Sequence, residues 1–461
     1  MTDGGLREIF AGRRGRLLAA LLTAELGAAV TGIAYSTVLP VASDELHGAA
    51  LYGATVVAAN FASVVVLATG LGSLARLTSH QTLLLATVLF LAGVGLSAGA
   101  WSMWLVLAGM VVRGLAGGLL AGFGLTAVGA LYDDRLRPRV VGLFAVVWLV
   151  PSLVGPLVNS VVTLAASWRL AMAWPAALVV VARLLVSRDA DLVPWTRDHT
   201  RRLDVGPALA LLGGLVAAAC APAARGSVGV VLLVGGVAVA AAASAAVVHR
   251  QVRDPARVRV MAVFALLCLT FFGGHQLASL AAVEGLGRGV VTAALTVGGA
   301  QVAWSLTGLR RGGRRTPLGD APVVGLALVA GGLVTLGVTM LAHPVGAAAL
   351  LVGGWTVGGT GMGLAYRQLF SDALAGLAAA EVAPVAVTLE LAELAATTIG
   401  SLGVGGWYSL GHVDGATAQV SLGGAYLLLG AAAAGAALVA RVTSVRARPA
   451  PDARLAPWSE R

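Results

Sequence analysis

The sequence predicts an all-α integral membrane protein of fourteen spanning helices, and three observations carry that prediction. Hydrophobic residues make up 58% of the 461 positions and charged residues 11%, which leaves more apolar surface than one soluble core can hide. Apolar runs long enough to cross a bilayer follow one another at roughly 17–41, 50–74, 83–100, 103–131, 139–163, 170–187, 205–224, 227–248, 260–282, 289–309, 320–342, 345–366, 382–407 and 419–441. Arginine alternates between the loops: twenty-six fall in one set of loops and tails, against Arg169, Arg225 and Arg288 in the other. By the positive-inside rule both termini are expected in the cytoplasm, and the chain in the cell membrane as a multi-pass protein.

The first run follows Arg13, Arg14 and Arg16 and is longer than a signal-peptide core, without a convincing cleavage site, so it reads as a spanning helix that stays attached. The fourth run holds a single charge, Arg113, roughly 18 Å from its aromatic end and so near the middle of the hydrocarbon. Insertion of an Arg there costs about 2.5–3.5 kcal/mol, which marks either a functional path or a lock between two helices. Gly109, Gly114, Gly117, Gly118 and Gly122 give that helix small-x-x-x-small spacings, which let neighbours approach closely. The charged, Pro194-containing link after the sixth run is the natural boundary of a first unit, and the seventh and eighth runs carry almost no polar groups. The expected organisation is therefore a six-helix bundle over 1–187, a link and inserted helix pair over 188–259, a second six-helix bundle over 260–443 and a tail over 444–461. An echo between Gly72–Gln81 and Arg310–Arg315, each between the second and third helices of its unit, agrees with duplication. Trp101, Trp104, Trp168, Trp407 and Tyr408 fall at expected outer ends, as an aromatic belt.

Several functions are excluded. The net charge of +10 is all arginine, spread over short loops and not gathered into one patch, so no nucleic-acid partner is expected. Cys220 and Cys268 lie inside apolar runs, which argues against a disulfide framework or a Cys-based metal site. Gly95-Leu-Ser-Ala-Gly99 and Gly122-Phe-Gly-Leu-Thr-Ala127 match enzyme motifs in letters, but each sits within a spanning helix with no strand before it. No enzyme, metal or cofactor is expected.

Ionisable groups at depth remain. A proton-coupled carrier needs a buried carboxyl group that exchanges its proton near neutral pH. Glu25 lies about 13 Å past Arg16. Glu390 and Glu393, three apart on one face of the thirteenth helix, do not both ionise easily. Glu25 and Glu393 are the candidate coupling acids, with Glu390 tuning its neighbour and Arg113 orienting Glu25 or a relay water; pairing of these acids with Arg113 or a hydroxyl is the structural alternative. Asn60, Asn159, Gln276 and Gln301, with Thr31, Tyr35, Trp148 and His275, are candidates for a substrate cavity. Each amide alone is more often a helix-to-helix bond, worth about 0.6 kcal/mol. Pro151, Gly155 and Pro156 bend the fifth helix, which is tolerated where backbone lines a cavity.

These residues resemble the major facilitator superfamily, specifically its fourteen-helix drug:proton antiporter branch. The first helix ends Tyr35-Ser-Thr-Val-Leu39-Pro40, the fourth has Arg113-Gly-Leu-Ala-Gly117 for the family's R-x-x-Q-G, and the fifth has Pro151-Ser-Leu-Val-Gly155-Pro156-Leu-Val-Asn159-Ser160, similar to G-x-x-x-G-P-x-x-G-G, followed by Trp168-Arg169. The chain departs from the family where Arg76, and Arg310 in the second half, stand in place of the acid of the cytoplasmic loop motif, and where Thr31 stands for the usual acid of the first helix. Arg76 and Arg310 are accordingly gating candidates. The resemblance implies two six-helix bundles with an extra helix pair, alternating access, and export of small amphipathic or cationic compounds in exchange for protons. An uncoupled or uptake carrier for a metabolite stays open, as does a non-transporting sensor or scaffold. A monomer in the lipid bilayer, with a small-molecule substrate and protons as partners, is expected.

Overall fold

The computed structural model describes residues 8–48, 51–68, 77–132, 136, 140, 143, 147, 149–193, 205–224, 226–309, 315–316, 319–413 and 417–446. Apart from a two-residue antiparallel ladder, Arg315–Thr316 with Gly319–Asp320, its regular structure is helical. Among the described residues eleven helices are long and apolar enough to cross a membrane. The first unit has α1 (Gly12–Glu45), α2 (Tyr52–Ala68), α3 (Ser79–Ala98), α4 (Met103–Leu131), α5 (Leu149–Ala165) and α6 (Trp168–Val186), the last broken between Ala173 and Ala176 at Pro175. Next come α7 (Val205–Cys220) and α8 (Gly226–Gln251), then α9 (Pro255–Leu280), α10 (Val290–Leu309), α11 (Ala321–Ala342), α12 (Ala347–Leu374), α13 (Ala379–Val413) and α14 (Ala418–Arg446).

Local chemistry sets several of these ends. Thr78 caps α3 by accepting from the Gln81 N–H at 3.3 Å, while the Gln81 side chain accepts from the Thr78 N–H at 2.9 Å. Asp254 caps α9 by accepting from the Ala256 N–H at 2.9 Å, with Pro255 at the first helical position. The glycines of α4 work as their spacing implies. A Cβ on Gly114 would stand 2.1 Å from the Ala59 carbonyl oxygen of α2, and one on Gly93 of α3 would stand 2.6 Å from that of Gly109. Arg367, counted above among the loop arginines, lies inside α12, because that helix runs on to Leu374.

The core is divided. The largest apolar cluster unites α9 with α11, α12, α13 and α14, and is anchored by Phe264, Phe271, Trp355 and Tyr426. Smaller clusters join α1 to α4 and α6 around Leu17 and Phe123, and α1 to the N-terminal ends of α4 and α6 around Tyr35 and Trp168. The α7–α8 pair packs on α2 and α13, through Leu211, Leu215, Leu233 and Val247 against Val64, Leu67, Leu391 and Ala395. Helix α13 also touches α4, α9 and α14, so it contacts helices from both ends of the sequence. Outward faces carry Leu84, Val88, Val231, Val234 and Leu438, which suits lipid.

Candidate functional site

Glu25 sits in the first half of α1, and Glu390 and Glu393 sit one turn apart on α13; all three side chains are half-buried. The fold brings them together, for the Glu25 carboxyl lies within electrostatic range of both Glu390 and Glu393. Tyr366 of α12 donates its hydroxyl hydrogen to Glu393 Oε2 at 2.8 Å. Cys268 of α9, fully buried, faces the same two carboxyls. Tyr366 and Cys268 were not singled out from the sequence.

From Tyr366 an aromatic file runs through the second half of the chain. Its ring centroid lies 5.1 Å from that of Phe264 and 5.7 Å from that of Trp304. Trp304 meets Phe271 edge-on at 5.6 Å, and Phe271 stacks on Trp355 at 5.0 Å with their planes 17° apart. At the far end Trp355 Nε1 donates to His275 Nδ1 at 3.2 Å. Thus α9, α10 and α12 form one wall that begins at a carboxyl and ends at an imidazole.

Arg113 lies elsewhere. Its guanidinium covers the Tyr35 ring, with Cζ 3.9 Å from the centroid, and Nη2 donates to the Met110 sulfur at 3.2 Å. No carboxylate pairs with it among the described residues. Thr31 is buried and spends its hydroxyl on the Gly27 carbonyl at 2.6 Å. Asn159 Oδ1 accepts from Trp174 Nε1 at 3.0 Å, a bond between α5 and α6, and Asn159 Nδ2 is buried without a partner among the described residues. Gln301 is buried on α10, Asn60 is half-buried on α2, and Gln276 is exposed on α9. Pro151 and Gly155 are buried in α5. Arg76, Trp148 and Arg310 lie outside the described residues, as does the Pro156 side chain.

Two polar knots tie the ends of α1 to α6 and to the residues just after it. At one end Glu45 accepts from Trp168 Nε1 and from Arg169 Nη1, each at 2.7 Å, while Arg169 Nη2 reaches the Ala100 carbonyl at 3.0 Å. Trp168 is 3% exposed, so it is a buried fastener and not a belt residue; Trp101 and Trp104 are 78% and 66% exposed. Trp407 and Tyr408 also have partners, the Ser421 carbonyl and Glu284. The Arg169 guanidinium, then the Trp168 indole, holds the Glu45 carboxyl below its ordinary range. At the other end Arg13 Nε and Arg16 Nε bind Asp189 at 2.8 and 3.2 Å, and Arg13 also holds Asp191 at 2.8 Å. Bonding to Arg13 keeps Asp189 below the usual carboxylate range.

Known proteins share this architecture. A human organic anion transporter superimposes with a TM-score of 0.64 at 14% identity over 92% of this chain and 100% of that one. A proton:xylose symporter does so with a TM-score of 0.60 at 15% identity over 92% and 94%. Among curated proteins, a "Probable multidrug-efflux transporter" of Mycobacterium tuberculosis is 29% identical over 158 residues, 34% of this chain. An "MFS-type efflux pump" of a Fusarium species is 27% identical over 221 residues, 46% of this chain and 38% of that one. The chain spans 32% of the length of the mycobacterial relative. The sequence profile of the Major Facilitator Superfamily matches residues 20–389, well over half of the chain; together with the multi-pass helical fold, this means that the protein belongs to that superfamily.

Proposed function

We propose that the chain is a secondary active transporter that moves a small organic solute by alternating access, with Glu25, Glu390 and Glu393 exchanging the driving proton. The observation that carries this reading is the approach of Glu25, from the first helix, to the paired acids of the thirteenth, with Tyr366 bonded to Glu393. Three carboxyls at that range repel one another when all are charged, so the group gives up or takes on a proton as its surroundings open and close. At the carboxyl end of the aromatic file, the half-buried Trp304 and Tyr366 offer flat apolar rings to an organic solute. In this reading α2, α5 and α10 also cross the bilayer, making fourteen spans in two six-helix bundles, with the α7–α8 pair beside them. Both termini are cytoplasmic and the protein works as a monomer.

Uptake of a metabolite is slightly favoured over drug export. The likeness that runs along nearly the whole chain includes a proton:xylose symporter, whereas the efflux relatives match a third to a half of it. Export is the second reading, supported by the names of those relatives. Protein reconstituted in liposomes enclosing a pH-sensitive dye tests both, with xylose and ethidium as probes under an imposed pH gradient. Solute flux with proton movement in the same direction supports uptake, and opposed movement supports export. Flux that is unchanged in both Glu25→Gln and Glu393→Gln removes the proposed coupling. The absence of flux for any probe in a wider panel removes the transporter reading.

A further inference from the structure

Besides the acids, the membrane interior holds a second polar group with the opposite character. Arg113 stands about 15 Å along α4 from Met103, and Tyr35 stands about 15 Å along α1 from Glu25, so this group lies at a different depth from the carboxyls. The guanidinium is half-buried and covers the Tyr35 ring at 3.9 Å, and its one hydrogen-bond acceptor among the described residues is a thioether sulfur, among the weakest there is. Tyr35 is 1% exposed, yet its hydroxyl makes no hydrogen bond of normal geometry among the described residues. The Ser97 hydroxyl of α3 lies beside that of Tyr35 and is itself held only by a 3.5 Å contact to the Val106 carbonyl. Buried donors are almost always satisfied, and here a cation and two hydroxyls from three helices meet with no oxygen acceptor of good geometry between them.

We propose that Arg113, Tyr35 and Ser97 bind the anionic group of the transported solute, a small organic monoanion of the carboxylate class. One guanidinium neutralises one negative charge. A dianion would leave a net charge at depth, since no second cation joins the group among the described residues. The Arg113 N–H groups and the Tyr35 O–H suit the two oxygens of a carboxylate. This site deepens the transporter reading and rests on it for the word "transported"; binding itself can be measured without flux.

Purified protein in detergent is titrated calorimetrically with benzoate, its neutral isostere benzamide, and benzylammonium. Benzoate is expected to bind saturably and benzamide at least about tenfold more weakly, the size of one charge-assisted contact. Arg113→Gln should lose benzoate binding, Arg113→Lys should keep part of it, and Tyr35→Phe should weaken it severalfold. Asp191→Asn, at the exposed Arg13 contact, should leave it within about twofold. Equal binding of benzoate and benzamide overturns the proposal, and so does undiminished benzoate binding by a folded Arg113→Gln protein. Chloride that saturates the site and fully blocks benzoate at millimolar concentration overturns the carboxylate assignment. No benzoate binding in wild type overturns it as well, and leaves the liposome measurement, which reports on transport, as an independent result.

Discussion

The seam between α10 and α12 carries Trp304 to Tyr366, and one added methyl group should open it. A Cβ placed on Gly359 would lie 2.0 Å from the Ala300 carbonyl oxygen, and one on Gly363 would lie 2.5 Å from that of Trp304. A carbon rests against a carbonyl oxygen at about 3.3 Å, so Gly359→Ala must drive the two helices apart by roughly 1.3 Å at that point. The obstacle is backbone, which cannot rotate away, and overpacking of this kind costs about 1–3 kcal/mol. Gly353 lies on the same helix with nothing within 4 Å of its added Cβ, so Gly353→Ala has the same change in helix propensity without the clash. The difference between the two variants is therefore the clash alone, near the upper end of that range. Cys268 is fully buried and Cys220 exposed, so in a Cys220→Ser background a thiol-reactive dye reports thermal unfolding through Cys268. Gly359→Ala should unfold several degrees below Gly353→Ala, and its flux should fall because Trp304, one turn beyond Ala300, loses its 5.7 Å contact with Tyr366. If the two variants unfolded together, the close approach of α10 and α12 would be refuted.

Three further outcomes follow from the polar contacts. Tyr366→Phe deletes one hydrogen bond to a carboxyl group, worth about 1.5–3 kcal/mol, and should slow proton-driven flux roughly tenfold or more without unfolding the protein in the same dye assay. Arg169 holds Glu45 below its ordinary 4.5, so that contact stabilises the fold above 4.5 and is lost as pH falls through the lower folded value. Wild type and Glu45→Gln should therefore melt apart at pH 7 and converge as pH falls through that lower folded value. Asp189→Asn and Arg13→Gln should each lower the melting temperature, and the double variant should fall by less than the sum, because both remove the same 2.8 Å pair.

Much of this fold was legible in the sequence because spanning helices announce themselves through length and polarity. The α3–α4 approach was readable too, since glycine spacing on α4 sets which faces can touch. Glu390 and Glu393 could be paired from sequence because three residues on a helix is a fixed geometry. The nearness of Glu25 could not, for it depends on how α1 and α13 meet, a long-range packing outcome with no local signature. Arg113 was readable as costly but not as remote from the acids: its height on α4 was clear, whereas its direction, toward Tyr35, was set by packing. Trp168 was misread because a tryptophan at a helix end has the same sequence signature whether it faces lipid or binds Glu45. Tyr366, Trp304 and Trp355 stayed hidden for a similar reason, since aromatic residues in apolar runs carry no mark of which ones will touch.

Helix α13 is a rod of 35 residues that leans on α2 and α4 along one flank and on α9 and α14 along another. The same rod bears Glu390 and Glu393, so a change of charge there falls on a helix gripped from several sides at once. In the transport cycle proposed above, a proton arriving at its carboxyls alters how firmly the rod holds each flank. Chemistry and leverage would then be machined into one piece.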